Sequence, residues 1–376
     1  MTTPIALVMA GGTGGHIFPA LAVSERLRGQ GWQVVWLGTR AGLESRLVPP
    51  HGLPIEWLSV AGARGKGLLQ TLAAGPRLLL AIWQALRVIR RRHPDVVLGF
   101  GGFVALPGGV AAILSGRPLL IHEQNAVAGL TNRLLAQVAR TVLQAFPQAF
   151  AQRGGNPLGR RLPVPVGTIT TGNPVRVAFQ QQAAPAERFA GRTGALQLLV
   201  LGGSQGARAL NQVVPAALAL LPSAERPRVL HQAGAKLIDE MRDAYSRLGI
   251  EASVVPFIED VAGALAVADL VICRAGALTV AELAALGVAS VLVPFPAAVD
   301  DHQTVNAAYL ADAGAAELIP QAVLTAEVLA ALLATLDRPK LLQMAERART
   351  RALPQATDMV VDQVKRLYAE RRGARS

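Results

Sequence analysis

Cysteine is almost missing from this sequence. Cys273 is the only one in 376 residues, so no internal disulfide can form, no mark of an oxidising compartment is present, and the chain reads as cytoplasmic. Aromatic residues are scarce too, at 4 % against 51 % hydrophobic residues overall. That bias toward Ala, Leu and Val excludes an aromatic-rich sandwich and suits helices packed on parallel strands. The N-terminus lacks a basic region, and the apolar run from Ile5 to Ala10 meets glycines before it is long enough for a signal-peptide core. It reads as a buried first strand.

Nor does the sequence offer a convincing membrane span. Val96 to Gly116 is uncharged for 21 residues, about the length of a spanning helix. Gly99, Gly101, Gly102, Pro107, Gly108 and Gly109 interrupt it, however, and lipid has no partners for the freed backbone groups. A buried strand, a glycine turn and a buried helix fit better. Two nucleotide-site signatures are also absent. There is no G-x-x-x-x-G-K-[ST] loop. From Gly12 the dinucleotide pattern G-x-G-x-x is completed by Ile17 rather than glycine, and the next strand, ending near Leu37-Gly38-Thr39, offers no carboxylate for a ribose diol. No D-x-D triplet occurs, so no metal clamp for a diphosphate is evident, and neither metal nor other cofactor is expected. Asp300-Asp301-His302 is read as a polar, sugar-contacting loop, because three adjacent residues cannot all point one way in extended or helical backbone.

Acidic residues are few in one half only. Residues 1–170 hold 17 Lys and Arg against 5 Asp and Glu, whereas the remainder holds 20 of each, so the net charge of +12 resides in the N-terminal half. Whatever anionic surface attracts the protein is met there, and nucleic acid or anionic lipid would both qualify.

What is present is a repeated order of strand, glycine loop and helix. The chain length suggests two domains. Ile5 to Ala10 precedes Gly11-Gly12-Thr13-Gly14-Gly15-His16, Val96 to Leu98 precedes Gly99-Phe100-Gly101-Gly102, and Leu198 to Leu201 precedes Gly202-Gly203-Ser204-Gln205-Gly206. Glycine clusters at strand ends mark backbone that turns tightly or approaches a ligand. Helical stretches such as Pro19 to Gln30 and Leu68 to Arg92 lie between. The expected fold class is therefore α/β: two Rossmann-like, doubly wound parallel-sheet domains, 1–170 and 171–376, with a boundary in the Gly-, Pro- and Arg-rich stretch from Gly154 to Pro174. The tail from Leu341 to Arg372 is expected to be helical and surface-packed.

Helix N-termini at such loops favour anions, which is what holding a diphosphate requires. Ser204 stands where its hydroxyl and amide can both reach phosphate oxygens. Another terminus follows Cys273-Arg274-Ala275-Gly276 and places Glu282 within two turns, where a carboxylate can accept both ribose hydroxyls; a solvated helix glutamate is the ordinary alternative. His16 begins a helix whose positive end disfavours a second positive charge, so a neutral imidazole, a usable general base, is expected. Its ordinary alternative is a residue that caps backbone in a packed loop.

With these motifs in order, the chain resembles the MurG family of peptidoglycan N-acetylglucosaminyltransferases, GT-B enzymes of glycosyltransferase family 28. The resemblance covers almost the full length. It rests on Gly11 to His16, Arg64-Gly65-Lys66-Gly67, His122-Glu123-Gln124-Asn125, Gly172-Asn173-Pro174-Val175-Arg176, Gly202 to Gly206, Arg274-Ala275-Gly276-Ala277-Leu278-Thr279 with Glu282, and Asp301-His302-Gln303 with Asn306. It implies two domains facing a deep cleft, with a final helical segment from about residue 350 crossing back to the N-terminal domain.

The implied donor is UDP-GlcNAc and the implied acceptor lipid I, undecaprenyl-diphospho-MurNAc-pentapeptide, with inversion to a β-1,4 link. Carried over by motif, Ser204 and Arg176 meet the nucleotide diphosphate, Ile258 faces uracil through its backbone, and Glu282 binds ribose. Ala277, Leu278 and Thr279, followed by Val280 and Ala281, lie near the phosphates, and Gln303 reads GlcNAc hydroxyls. Thr13, Gly14, Gly15, His16, Gly101, Gly102, Glu123 and Asn125 form the acceptor side, of which Thr13, Gly14, Gly15 and Asn125 are also assigned to the donor. His16 is the candidate base, with Glu123 as its nearest rival. The acceptor's diphosphate suits the first glycine loop.

The family also implies a peripheral place on the cytoplasmic face of the cell membrane, on an anionic inner-membrane surface, with other cell-wall synthesis and division proteins as partners. Candidate membrane contacts are Leu79, Leu80, Ile82 and Trp83 with Arg77 and Arg87. For Leu72 and Leu79 the preferred reading is ordinary helix core. Rival functions are a UDP-GlcNAc 2-epimerase, which needs no lipid acceptor, and another GT-B glycolipid glycosyltransferase, acting on diacylglycerol, an acceptor with no diphosphate. A calculated pI of about 11.1 also raises nucleic-acid binding, but no aromatic cluster interleaves with the basic residues, so no nucleic-acid partner is expected.

Overall fold

The computed structural model describes residues 3–59, 68–151, 162–203 and 206–374, with no side-chain description for 68–74. The chain forms two compact units, Met1–Arg176 with Leu353–Ser376, and Val177–Ala352.

Unit 1 is built on a seven-stranded parallel sheet of β1 (Ile5–Met9), β2 (Gln33–Thr39), β3 (Ile55–Leu58), β4 (Val96–Gly99), β5 (Leu119–Glu123), β6 (Thr141–Gln144) and β7 (Ile169–Thr170). Their order is β3-β2-β1-β4-β5-β6-β7. The central strands are almost wholly apolar because both faces are covered. On one face Leu7, Met9, Val35, Leu37 and Val97 pack under helices Leu68–Arg92 and Ala105–Leu114. On the other, Ala6, Val8, Val34, Trp36 and Leu98 pack under helix Gly14–Gly29 and the C-terminal helix Ala356–Gly373. The alternation of these two sets along each strand is the period-two signature of a pleated sheet. The uncharged stretch from Val96 resolves as β4, a glycine turn and the helix Ala105–Leu114, as expected from its glycines.

Unit 2 repeats the plan with β8 (Gln197–Leu201), β9 (Arg228–Gln232), β10 (Ala252–Val255), β11 (Leu270–Cys273), β12 (Ser290–Leu292) and β13 (Ala316–Leu318). Their order is β10-β9-β8-β11-β12-β13, again all parallel. Numbered within its own unit, each sheet runs 3-2-1-4-5-6, with β7 added at the edge in unit 1. This is the doubly wound order, and its reversal of winding opens a crevice at the strand ends between the first and fourth strands. In unit 1 those strands are β1 and β4, where Met9 stands beside Gly99. In unit 2 they are β8 and β11, where Leu201 stands beside Cys273. The loops leaving these four strands are the four segments whose sequence pointed to ligand contact.

The C-terminal helix belongs to unit 1. Val360, Val361, Val364 and Leu367 enter its core, and Tyr368 meets Trp32 edge-on at 5.2 Å. The helical tail is therefore two helices, Arg338–Thr350 in unit 2 and Ala356–Gly373 in unit 1.

Candidate active site

In unit 1 the loops leaving β1 and β4 touch backbone to backbone. Gly102 has φ 77°, and a Cβ there would lie 2.2 Å from the carbonyl oxygen of Gly11, an approach that only glycine permits. Thr13 occupies the N-cap position of helix Gly14–Gly29, yet its hydroxyl makes no capping bond. Gly14 and Gly15 open the helix, and first-turn amides have no acceptor within it.

The Gly12 amide is already committed, because it donates to Glu44 Oε2 at 3.1 Å. Glu44 is buried, and its Oε1 accepts from the Thr39 amide at 2.8 Å and the Thr39 hydroxyl at 2.7 Å. Sequence reasoning missed this residue. It also narrows the diphosphate expectation for the first loop to the Gly14 and Gly15 amides, since Glu44 already holds Gly12 and the His16 amide donates to Thr13 O at 3.1 Å. The available signal was Gly38 and Gly42 flanking a lone acid; a Cβ on Gly42 would lie 2.1 Å from Glu44 Oε2.

The His16 ring rests on Gly101, where a Cβ would lie 3.0 Å from both Nδ1 and Cε1. Its Nδ1 is 2.8 Å from Gln124 Oε1. Glu123 is buried at 2 % exposure. Its Oε1 accepts from the Asn125 amide (2.9 Å) and Asn125 Nδ2 (3.2 Å), and its Oε2 from Asn132 Nδ2 (2.8 Å) and the Gly129 amide (3.1 Å). Glu123 thus organises the loop that carries Asn125, with both of its carboxylate oxygens already accepting hydrogen bonds. Arg176, the last residue of unit 1's first segment, sets its guanidinium 5.0 Å above the Phe18 ring.

In unit 2 the loop after β8 also runs against a neighbouring backbone: a Cβ on Gly202 would lie 2.6 Å from Gln232 O, and one on Gly206 2.3 Å from Ala233 O. Ser204 and Gln205 lie outside the described residues, as does the Arg64 to Gly67 motif. After β11, Arg274 donates to Val293 O (3.1 Å), Pro294 O (3.2 Å) and Gln321 Oε1 (2.6 Å), locking the turn into helix Ala277–Leu286. Ala277, Leu278 and Thr279 form the helix's first turn, and Ala281 is half-buried. Val280 is core: its side chain has no exposed surface and its amide donates to Gly276 O at 2.9 Å. Glu282 is buried at 8 % exposure rather than solvated. Burial, reinforced by the charge of Glu282, pushes the thiol of Cys273 up to about 12.

Ile258 buries its side chain, so the loop after β10 presents backbone there. Asp260 caps the following helix by accepting from the Gly263 amide at 2.9 Å. Gln303 Oε1 accepts from the Phe295 amide at 2.9 Å, which orients its NH2 as the group left to donate to a ligand. Asp300 (φ 54°) and Asp301 (φ 50°) are both left-handed, a conformation rare outside glycine. That backbone is neither extended nor helical, contrary to the premise used for this segment. His302 Nδ1 donates to Val299 O (2.7 Å) and the Thr304 hydroxyl to Asp301 Oδ1 (2.7 Å).

On helix Leu68–Arg92, Leu79, Leu80 and Trp83 are 69 %, 45 % and 52 % exposed. The core reading of Leu79 is therefore wrong, because that residue lies on the helix face turned away from the sheet. Leu72's side chain is outside the described residues. Ile82 is half-buried, Arg77 and Arg87 are exposed, and the Arg87 guanidinium stacks 4.7 Å over the Trp83 ring. Among the described residues no helix is long and apolar enough to cross a membrane.

Comparison with known proteins places both units. Residues 6–144 match the glycosyltransferase family 28 N-terminal domain and residues 197–362 its C-terminal domain. A protein of Azoarcus sp. (strain BH72), named UDP-N-acetylglucosamine--N-acetylmuramyl-(pentapeptide) pyrophosphoryl-undecaprenol N-acetylglucosamine transferase, is 55 % identical over 94 % of this chain and 95 % of its own length. The crystal structure of Acinetobacter baumannii MurG superposes with a TM-score of 0.82 at 43 % identity, covering 96 % of this chain and 99 % of that one. A UDP-GlcNAc 2-epimerase from Neisseria meningitidis superposes at 0.65 with 12 % identity over 97 % of this chain and 100 % of that one, a likeness of fold alone. Matched in both units and nearly end to end, the chain belongs to glycosyltransferase family 28, in the branch of these N-acetylglucosamine transferases.

Proposed function

We propose that this protein transfers N-acetylglucosamine from UDP-GlcNAc to the 4-hydroxyl of MurNAc in lipid I, giving lipid II with inversion at the anomeric carbon. The observation that carries the reading is 55 % identity, over 94 % of the chain, to a transferase named for this donor and acceptor. An epimerase shares the fold at only 12 % identity.

In this reading unit 2 holds the donor. Gln303 donates its NH2 to sugar hydroxyls, the backbone at Ile258 meets uracil, and buried Glu282 accepts from the ribose. Helix dipoles at the first turn of Ala277–Leu286 and at the loop carrying Ser204 offset the charge gathering on the departing diphosphate. Arg176, stacked on Phe18, adds a fixed cation at the end of unit 1's first segment. His16 takes the proton of the attacking hydroxyl as UDP leaves, with no covalent intermediate. Thr13, Gly14, Gly15, Gly101, Gly102 and Asn125 shape the acceptor side.

Exposed Leu79, Leu80 and Trp83, beside Arg77 and Arg87, support a peripheral seat on the anionic cytoplasmic face of the membrane, where a lipid-linked acceptor is presented. Acceptor-dependent release of UDP from UDP-GlcNAc by the purified protein, with a soluble-chain lipid I analogue, tests the reading. Turnover that ignores the acceptor and yields a UDP-ManNAc isomer would support the epimerase instead.

A further inference from the structure

The His16 ring ends a chain of hydrogen bonds whose direction can be read from one end to the other. The carbonyl oxygen of Gly172 can only accept, and it lies 3.0 Å from His122 Nε2. His122 therefore carries its proton on Nε2, and its Nδ1 is an acceptor. Gln124 Nε2 donates to that Nδ1 at 3.1 Å and to the His122 carbonyl at 2.9 Å. A flipped amide would set oxygen against oxygen, so the orientation of Gln124 is determined. Its Oε1 then faces His16 Nδ1 at 2.8 Å. An amide oxygen has no proton to give, so the shared proton resides on His16 Nδ1.

We propose that Gln124, oriented by His122 and through it by the Gly172 carbonyl, fixes the tautomer of His16 so that its Nε2 presents a lone pair. Gln124 and His122 are positioning residues in this account, which rests on the reading of His16 as the base. A free neutral imidazole prefers its proton on Nε2, the form that cannot accept a substrate proton there, so this preference must be reversed for His16 to act. A glutamine–histidine relay does so without placing a second charge beside the base.

Three further features hold the relay still. Gln124 and His122 are both buried, and Asn173 Nδ2 donates to the Gln124 carbonyl at 3.0 Å. The His16 ring is seated on Gly101 with no room for a methyl group between them. Burial also keeps His122 neutral by lowering it to about 4, which preserves its Nδ1 as an acceptor at neutral pH. The far end of the relay, Thr171 to Asn173, is the exit from β7 that leads to Arg176, where the first segment of unit 1 ends.

The test is 15N NMR of histidine-labelled full-length protein, with the His16 signals assigned by their loss in His16→Ala. Wild type is expected to show a protonated Nδ1 and an unprotonated Nε2 above the ring's titration; a protonated Nε2 overturns the proposal without any variant. Gln124→Met, close in volume but unable to accept, is expected to return His16 to its Nε2-protonated form. It should lower kcat roughly tenfold or more while the KM for UDP-GlcNAc changes less than about twofold. If Gln124→Met leaves the His16 tautomer unchanged, the proposal fails. If the tautomer shifts and kcat does not, the relay stands and His16 is not the base.

Discussion

The carboxylate of Glu44 holds the backbone amide of Gly12 at 3.1 Å, tying the first glycine loop to a segment 32 residues further along. It also binds the amide and hydroxyl of Thr39, and it is almost wholly buried. A buried acid accepting three hydrogen bonds stabilises whatever donates them, and its removal leaves those donors unpaired. Glu44→Ala is accordingly expected to destabilise unit 1 by roughly 1 to 3 kcal/mol. In the proposed reading, where unit 2 holds the donor, it should also lower kcat with little change in the KM for UDP-GlcNAc. Urea unfolding and steady-state kinetics check both, and Glu44→Gln, which keeps one acceptor oxygen, should lose less.

The glycine approach makes a contrast within one protein. Gly102 has a left-handed φ and faces the Gly11 carbonyl, whereas Gly116 has φ 60° and open space, with nothing within 4 Å of the point a Cβ would occupy. Gly116→Ala meets only backbone strain, on the order of 1 kcal/mol. Gly102→Ala meets the same strain plus a clash that must part the β1 and β4 loops. Activity should survive the first substitution and fall by roughly a hundredfold in the second.

Acid should destabilise the fold through two buried histidines. Burial lowers His122 and His231 each to about 4. The unfolded chain binds these protons near 6.5, so it gains protons that the folded state refuses between pH 6.5 and 4. The contribution is fully present above pH 6.5 and is lost as pH falls toward 4, on the order of 3 kcal/mol for each histidine. Unfolding free energies across this window should show that loss, and His231→Phe, which no longer titrates, should flatten part of the slope.

Exposed apolar residues on helix Leu68–Arg92 predict separable effects on membrane binding and stability. Leu79→Glu with Trp83→Glu should change thermal stability little, since neither side chain is in the core. Binding to vesicles containing anionic lipid should weaken by roughly tenfold or more, as two large apolar groups no longer enter the interface. Unchanged co-sedimentation at low salt would remove the membrane assignment from this face.

The doubly wound units were legible because β1, β4 and β8 each join an apolar run to a glycine cluster, a local pattern that follows from a buried strand leading into a tight loop. Helix Leu68–Arg92 was legible for a similarly local reason, its composition. The residues that escaped depend on tertiary distance. Glu44 reads as an ordinary surface acid until β2 and its turn bring it beneath Gly12. Gln124 lies within a recognisable motif, but the direction of its amide emerges only when His122, Gly172 and His16 surround it. Val280 and Ala281 are adjacent, apolar and alike in sequence; which one is buried is set by the helix's rotation against the helices packed on it, among them Arg338–Thr350. Leu79 was misassigned because a long apolar helix has more apolar residues than its sheet can cover.

The transfer itself is tested most directly by the product made when the purified protein receives both UDP-GlcNAc and a soluble-chain lipid I analogue. Mass spectrometry should show one added N-acetylhexosamine, and the anomeric proton coupling should report a β link, with neither product nor UDP release in Glu282→Ala at wild-type rate. An α link, an unmodified acceptor, or a sugar nucleotide isomerised without any acceptor would contradict it.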